Sequence, residues 1–448
     1  MRKSQPFSLT EGPMLPAIIR FSVPLMLSNV LQVLFNMSDI AVVGQFAGSR
    51  ALGAVGSTTI LVSLFTGFLI GMGSGVNVVT ARYLGAEKHK DVSRTVHTSA
   101  LLLLITGALL MAFGVLFTPA LLQLLGTKDE LLDGAILYLR IYSLGMPALA
   151  VFNFGNGVLS ASGDTRHPLL FLSIAGVLNV ALNLMFVIAF DMKEAGVALA
   201  SVIAQYVSAG LIVLSLTHRH ESIGLHRALL KMDAAKCRQV LSISIPSGLQ
   251  NAIFAIANLF IQAGVNTFDA LMVEGNAAAA NADALVYDVM AAVYLACSSF
   301  MSQNYGAGHR DRVKKSYLLC LGLSFGMGAV LSAGLLLFGS AFLSLFTREA
   351  AVVEAGWTRL RVMGFSYAFS ALMDCSIAAS RGLGRSMVPT MIVILGSCVF
   401  RVVWVFTVFA HFHTILSLYL LYIFSWTITG VAELVYFIHC YRQQMLPP

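Results

Sequence analysis

Five acidic side chains lie inside long apolar stretches of this sequence: Asp39, Asp283, Asp288, Asp374 and Glu433. A charge facing lipid at mid-bilayer costs about 2.5–3.5 kcal/mol on insertion scales, so such groups turn toward a partner or a water-filled cavity and are functional candidates by default. Asp39 has the most informative neighbours. At about 100° per residue, Asn29, Gln32, Asn36 and Asp39 share about 80° of arc on one helix, a single polar stripe. Later stretches add Asn153 and Asn156, then the i,i+4 pairs Asn179/Asn183 and Ser201/Gln205. Buried amides also glue membrane helices together, but an acid among this many amides points to a hydrated site. Such a carboxylate can load and release a proton, or, with amide and hydroxyl oxygens, it offers the hard ligands an alkali cation prefers. The residues leave both open.

The other acids are distributed differently. Asp283 and Tyr287 share a helix face, whereas Asp288 is about 140° round from Asp283, so the two acids do not form a dyad. Asp283 and Asp374 are candidates for a cationic solute or a proton, against a structural pairing with arginine or backbone. Glu433 lies near one end of its stretch, where snorkelling or a pairing with arginine accounts for it. Arg401 sits midway along an apolar stretch and needs a buried acceptor, and neutralising one of the acids is one role open to it. Arg140 and Arg361 fall near stretch ends, where their stems can snorkel. Pro24 and Pro246 each remove a helical hydrogen bond and favour a kink. Gly67, Gly71, Gly73 and Gly75 mark tight helix packing rather than a phosphate loop.

The elements that must position these residues follow from composition. Of 448 residues, 58% are hydrophobic and 11% charged, with a mean hydropathy of +0.82. That excludes a soluble domain, which carries about 25% charged residues. Twelve apolar stretches are long enough to span: 16–46, 51–81, 95–118, 131–161, 168–190, 195–217, 239–268, 276–304, 313–346, 351–380, 388–410 and 414–440. The polar start, Met1 to Pro13, leads into a helix too long for a signal peptide. The six cysteines have no metal-like spacing, so neither disulfides nor a metal cluster is expected.

The net charge of +7 would suggest nucleic acid in a soluble chain. Here the basic residues sort by side instead. With the N-terminus inside, twenty Lys/Arg fall at cytoplasmic ends and only Arg50, Lys128, Lys193 and Arg348 fall outside. The positive-inside rule then places both termini in the cytoplasm, and no nucleic-acid partner is expected.

Sliding the sequence on itself by about 221 residues brings Tyr83-Leu-Gly-Ala86 onto Asn304-Tyr-Gly-Ala307, Leu139-Arg-Ile141 onto Leu360-Arg-Val362, Pro168 onto Pro389 and, with a one-residue slip, Pro24 onto Pro246. These ordered anchors indicate a duplication. The fold class expected is an all-α membrane protein of twelve transmembrane helices in two parallel six-helix repeats: an N-terminal lobe over 1–217, a cytoplasmic linker over 218–238 and a C-terminal lobe over 239–448. Parallel repeats of this kind are a transporter architecture. The second copy diverges where it matters, since Ile261 stands at the Asp39 position and the stripe of Asn251, Asn258, Gln262 and Asn266 is neutral.

The runs Leu9-Thr-Glu-Gly12, Asp39-Ile-Ala-Val-Val-Gly44, Ala51-Leu-Gly-Ala-Val-Gly56, Gln303-Asn-Tyr-Gly-Ala307, Arg381-Gly-Leu-Gly384 and Phe400-Arg-Val-Val-Trp404, with Pro24, resemble the multidrug and toxic compound extrusion family, bacterial type, over nearly the whole chain. The resemblance implies an antiporter that exports organic, often cationic or aromatic, compounds by alternating access in exchange for H⁺ or Na⁺, without ATP. It maps a cation-coupling site onto Asp39, Asn179, Asn183 and Ser201, which would also ligate the metal if Na⁺ is the coupling ion. It maps a substrate cavity onto Gln32, Asn153 and Asn156, beside Asn36, matches Asp283 to an acidic position of a bacterial subgroup, and makes Pro24 a bending hinge; Asp283 and Asp374 stay substrate candidates of the second half on their own position. Many members carry a second acid where this chain has Asn183, which shifts the balance toward protonation of Asp39. Members that couple through an acid on helix 7 carry it near Phe254. No cofactor beyond the coupling ion is implied. The expected setting is the bacterial cytoplasmic membrane, with small organic substrates, the lipid bilayer as environment and a monomeric state. The rivals are a lipid-linked precursor flippase of the wider superfamily and a major facilitator transporter, whose basic loop signature is missing from Tyr83 to Arg94. A membrane enzyme would need a catalytic His/Asp or His/Glu cluster, and the sequence has no motif of that kind.

Overall fold

The computed structural model describes residues 9–219, 222–345 and 347–445, which are helical with no strand among them. The helices are α1 (Met14–Val42, closing on a π turn, Val43–Ala47), α2 (Gly48–Gly85), α3 (His89–Leu124), α4 (Asp129–Ser143 then Met146–Ala161), α5 (Arg166–Leu184 with a π turn, Met185–Ala189) and α6 (Lys193–Thr217). The second set is α7 (Ala234–Val265), α8 (Ala270–Gly306), α9 (Arg310–Leu343), α10 (Ala350–Gly364 then Tyr367–Gly382), α11 (Met387–Phe412) and α12 (Ile415–Met445).

Apolar length explains most boundaries, and glycine explains the first. Met14–Gly85 is a run of 72 helical residues, about 108 Å at 1.5 Å per residue, against a hydrocarbon core of about 30 Å. Gly48, with φ 88° and ψ 171°, breaks that run into two spans, in a region where a side chain would be strained. α4 and α10 were expected as single helices over 131–161 and 351–380, but they bend by 44° and 50° at breaks between Ser143 and Met146 and between Gly364 and Tyr367. These breaks, like the π turns Met185–Ala189 and Val405–Phe409, recur at about the repeat offset, whereas the π turns Val43–Ala47 and Ile394–Val399 have no counterpart among the described residues of the other half. α7 ends at Val265 rather than 268 because Asp269 is the N-cap of α8, accepting from the Met272 amide at 2.9 Å. The expected end of α9 at 346 lies outside the described residues.

The chain packs as two compact units whose limits differ from the lobes read from sequence. One comprises Leu27–Ala252; the other comprises Leu9–Met26 with the chain from Ile253 onward. The first part of α1 therefore belongs to the second unit, and the first part of α7 to the first. Pro24 and Pro246, both buried, lie shortly before these changeovers. The described part of the segment expected as a linker, 218–238, is tied down within the first unit. The His226 amide donates to His97 Nε2 at 2.9 Å, the Asp233 amide to Thr98 Oγ1 at 3.1 Å, and Lys236 pairs with Asp91 at 2.9 Å.

Small residues set the helix spacing in this unit. A Cβ on Gly73 would stand 2.8 Å from the Asn153 carbonyl oxygen, one on Gly71 would collide with the backbone of Gly248, and one on Gly75 with Ser244. The Ser244 hydroxyl donates to the Met72 carbonyl at 2.9 Å, and Asn251 Nδ2 donates to the Gly67 carbonyl at 3.0 Å. The glycine stripe of α2 is thus a packing surface for α4 and the start of α7.

Candidate cation and substrate site

In the first unit, α5 presents Asn179 and Asn183 on one face because they are one turn apart, and α6 sets Ser201 against them. Asp39 reaches this group from the last turn of α1. Asn183 Nδ2 donates to Asp39 Oδ1 and, at 3.2 Å, to Asn179 Oδ1; Asn179 Nδ2 donates to Ser201 Oγ at 3.3 Å; Ser201 Oγ donates to Asp39 Oδ2 at 3.3 Å. The four side chains form a closed circuit in which every donated bond leads toward the carboxylate. Asn183 is fully buried, and its Oδ1 has no hydrogen-bond partner among the described residues. An ionised carboxylate offers roughly four lone-pair sites, so this pocket holds more oxygen acceptors than the protein fills. Val42, Val43, Val187, Val197 and Tyr138 pack as an apolar cluster beside it, with both π turns contributing. Tyr138 was not singled out from sequence, and an aromatic in a spanning helix carries no signal that separates this position from ordinary core.

The remaining first-half candidates do not join the circuit. Gln32 and Asn36 are exposed on the Asp39 stripe. Asn153 is buried and donates to the Leu149 carbonyl of its own helix at 2.9 Å, while Asn156 Oδ1 accepts from Ser160 at 3.3 Å.

In the second unit, Asp283 is held by a guanidinium. Arg359 Nε donates to Asp283 Oδ2 at 2.9 Å, and Tyr367 donates to Asp283 Oδ1. Asn276 Oδ1 accepts from Arg359 Nη1 at 2.7 Å and from Tyr419 at 3.0 Å. Sequence reading missed Arg359 while naming Arg361 two residues on. The available signal was a further arginine inside the span 351–380, which needs a buried partner. Asp374 and Glu433 are buried, and Asp374 Oδ2 and both Glu433 oxygens have no hydrogen-bond partner among the described residues. Asp288 is half-buried. Arg401 bonds Ser425 Oγ and Asn258 Oδ1 rather than an acid. Among the described residues there is no cluster of three or more His, Cys, Asp or Glu side chains able to hold a metal.

Two six-helix repeats with ionisable groups buried in their interiors define a polytopic membrane transporter. The MatE family model matches residues 24–185 and again 246–407, one match for each repeat. The chain belongs to the MatE family, the multidrug and toxic compound extrusion transporters. It is 28% identical over 367 residues to the "Probable multidrug resistance protein YpnP" of Bacillus subtilis, covering 81% of each chain. It is 26% identical over 370 residues to the "FAD transporter" of Shewanella oneidensis, again covering 81% of each. A solved structure described as the outward-facing conformation of a multidrug resistance MATE family transporter shares the fold, with a TM-score of 0.91 at 21% identity over 99% of both chains.

Proposed function

We propose that this chain is a cation-coupled antiporter that exports organic compounds by alternating access, with Asp39 as the coupling group. The closed circuit through Asn183, Asn179 and Ser201 carries this reading. A proton on Asp39 Oδ1 turns that oxygen from acceptor to donor. Asn183 must then present its unpartnered Oδ1 in place of Nδ2, and its bond to Asn179 breaks. One proton thereby changes how α1 is held against α5, which is the differential contact a two-state transporter needs. The unpartnered Asn183 Oδ1 also supports a second reading, in which Asp39, Asn183, Asn179 and Ser201 ligate Na⁺.

In this reading Gln32, Asn36, Asn153 and Asn156 line the first-half substrate path, Asp374 serves the second, and Asp283 meets a cationic substrate by giving up Arg359. Pro24 is the hinge. The protein works as a monomer in a bacterial cytoplasmic membrane with both termini inside, its two repeats running over 1–217 and 239–448. The relatives' names span drugs and FAD, which supports an organic, aromatic substrate class.

The test is ethidium retention in cells expressing the chain. Wild type should lower it, and Asp39→Asn should abolish that difference; equal export by the two overturns the coupling role. Efflux at fixed pH with and without Na⁺ separates the readings, and an absolute Na⁺ requirement replaces the proton with sodium.

A further inference from the structure

Arg401 is 2% exposed in the middle of α11, yet it lacks the partners such a charge needs. Its Nε donates to Ser425 Oγ at 3.3 Å and its Nη1 to Asn258 Oδ1 at 3.4 Å, both long contacts, and Nη2 makes no hydrogen bond among the described residues. No carboxylate lies within ion-pair distance of it among those residues. Asp374 acts on it only from farther away. Arg359, in the same unit, shows what a satisfied guanidinium looks like here, with Asp283 and Asn276 at 2.7–2.9 Å. An uncompensated buried charge is costly, and a chain that keeps one gains by supplying its counter-ion from outside.

Three further observations bear on that counter-ion. Arg401 is wrapped by rings, with Tyr422 at 4.7 Å, Phe254 at 5.4 Å and Trp426 at 5.8 Å from the guanidinium carbon. Its five-residue stretch, Phe400–Trp404, is flanked by two π turns, Ile394–Val399 and Val405–Phe409, a helix distortion often found at functional sites. Asn258, its amide partner, is exposed and continues into exposed Gln262 on the same helix and Asn266 just past its end, a polar face that suits water and not lipid. The planar guanidinium fork recognises carboxylate or phosphate oxygens in bidentate fashion. Half-buried Phe254 and Trp426 offer faces on which a flat ring stacks.

We propose that Arg401, with Phe254, Trp426 and Asn258, forms a binding site for aromatic organic anions bearing a carboxylate or phosphate. The site deepens the reading of this chain as an exporter of organic compounds, by assigning the second unit a substrate class opposite in charge to the cations expected at carboxylates.

Binding is measured by calorimetry on the full chain in phosphatidylcholine nanodiscs, which present no net anionic lipid, with 1-naphthoate and 1-naphthyl phosphate as probes and 1-naphthylmethylammonium as the cation carrying the same ring. Wild type should bind at least one anion and bind the cation at least tenfold more weakly. Arg401→Gln should weaken anion binding at least tenfold, and Arg401→Lys, which keeps charge but loses the fork, should fall between. Trp426→Ala, which leaves the guanidinium in place, should also weaken it and guards against a misfolded Arg401 variant. Preference between the two anions assigns the headgroup. Anion binding absent in wild type, or unchanged in both Arg401→Gln and Trp426→Ala, overturns the proposal. Ethidium export by wild type is followed alongside. If ethidium is exported while neither anion binds, only this site falls; if Arg401-dependent anion binding persists without cation export, the cation-exporter reading falls and this one stands.

Discussion

The pair Asp283 and Arg359 allows a quantitative test of what the second unit's acid does. The carboxylate accepts from Arg359 and from Tyr367, and the guanidinium's other arm is bound to Asn276. The Arg359 side chain is 7% exposed and that of Asp283 17%, so little water remains to solvate either one alone. Removing one member of a buried pair costs about 3–5 kcal/mol, because the other is left uncompensated, whereas replacing both with apolar residues of similar volume is often close to neutral. Asp283→Leu and Arg359→Met should therefore each lower the apparent melting temperature of the detergent-solubilised protein by several degrees. The double variant should recover most of the loss, a coupling of about 2 kcal/mol or more on the scale of contacting residues. The assay is a thermal series on the four proteins of the cycle, read by the fraction surviving size-exclusion chromatography. Additive losses, or an Asp283→Leu variant as stable as wild type, would refute the reasoning and leave Asp283 as a group held for substrate alone.

Gly48→Ala should reduce the folded yield and cost about 1–2 kcal/mol, because a Cβ is strained at φ 88° even though nothing stands near it; membrane-inserted yield checks this. Gly71→Val should be worse, since its side chain meets backbone at Gly248 that cannot turn away, and the expected result is aggregation on extraction. At the loop following α4, burial acts to raise the Asp164 carboxyl, but the Arg219 hydrogen bond, with the charges of His167 and Arg219, outweighs it and holds it below the usual carboxylate range. A depressed carboxyl stabilises above its unfolded value of about 3.9 and loses that contribution as pH falls through the folded value. Arg219→Ala should thus cost about 1 kcal/mol at pH 7 and progressively less as pH falls below about 3.9 through the folded value, measured as the difference in melting temperature from wild type.

Much of this architecture was legible because the bilayer constrains it so tightly. Hydropathy alone located twelve spans, and the repeat followed from anchors such as Pro168 and Pro389. Helical phase showed the polar stripe ending at Asp39 and the pairs Asn179/Asn183 and Ser201/Gln205, but grouping Asp39, Asn179, Asn183 and Ser201 across three helices came from the family resemblance. The bends after Ser143 and Gly364 were not read because the apolar pattern runs through both, although Gly145 followed by Pro147 at the start of the next segment was a stop signal at the first. Arg359 went unnoticed because charge in a span was weighed residue by residue, while its partner Asp283 lies on another helix, 76 positions away in sequence. Arg401 was read as a neutraliser of one of the acids, and its nearest partners are instead a serine, an amide and three rings, an arrangement only tertiary packing creates.

The exchange of helix segments between the two units bears on how such a chain arose. Leu9 is buried in the second unit, where Asn304 Nδ2 donates to its carbonyl at 3.1 Å, Arg312 donates to the Gly12 carbonyl at 3.0 Å, and Phe21 meets Phe300 edge-on. In the first unit, the start of α7 fills the glycine face of α2. Cutting the polypeptide between residues 222 and 233 would leave each fragment without the segment that completes it, and each would carry the segment the other needs. Two copies of a six-helix ancestor, each lending the start of its first helix to its neighbour, would form a segment-swapped homodimer. Co-expressed halves should therefore reassemble where either half alone does not.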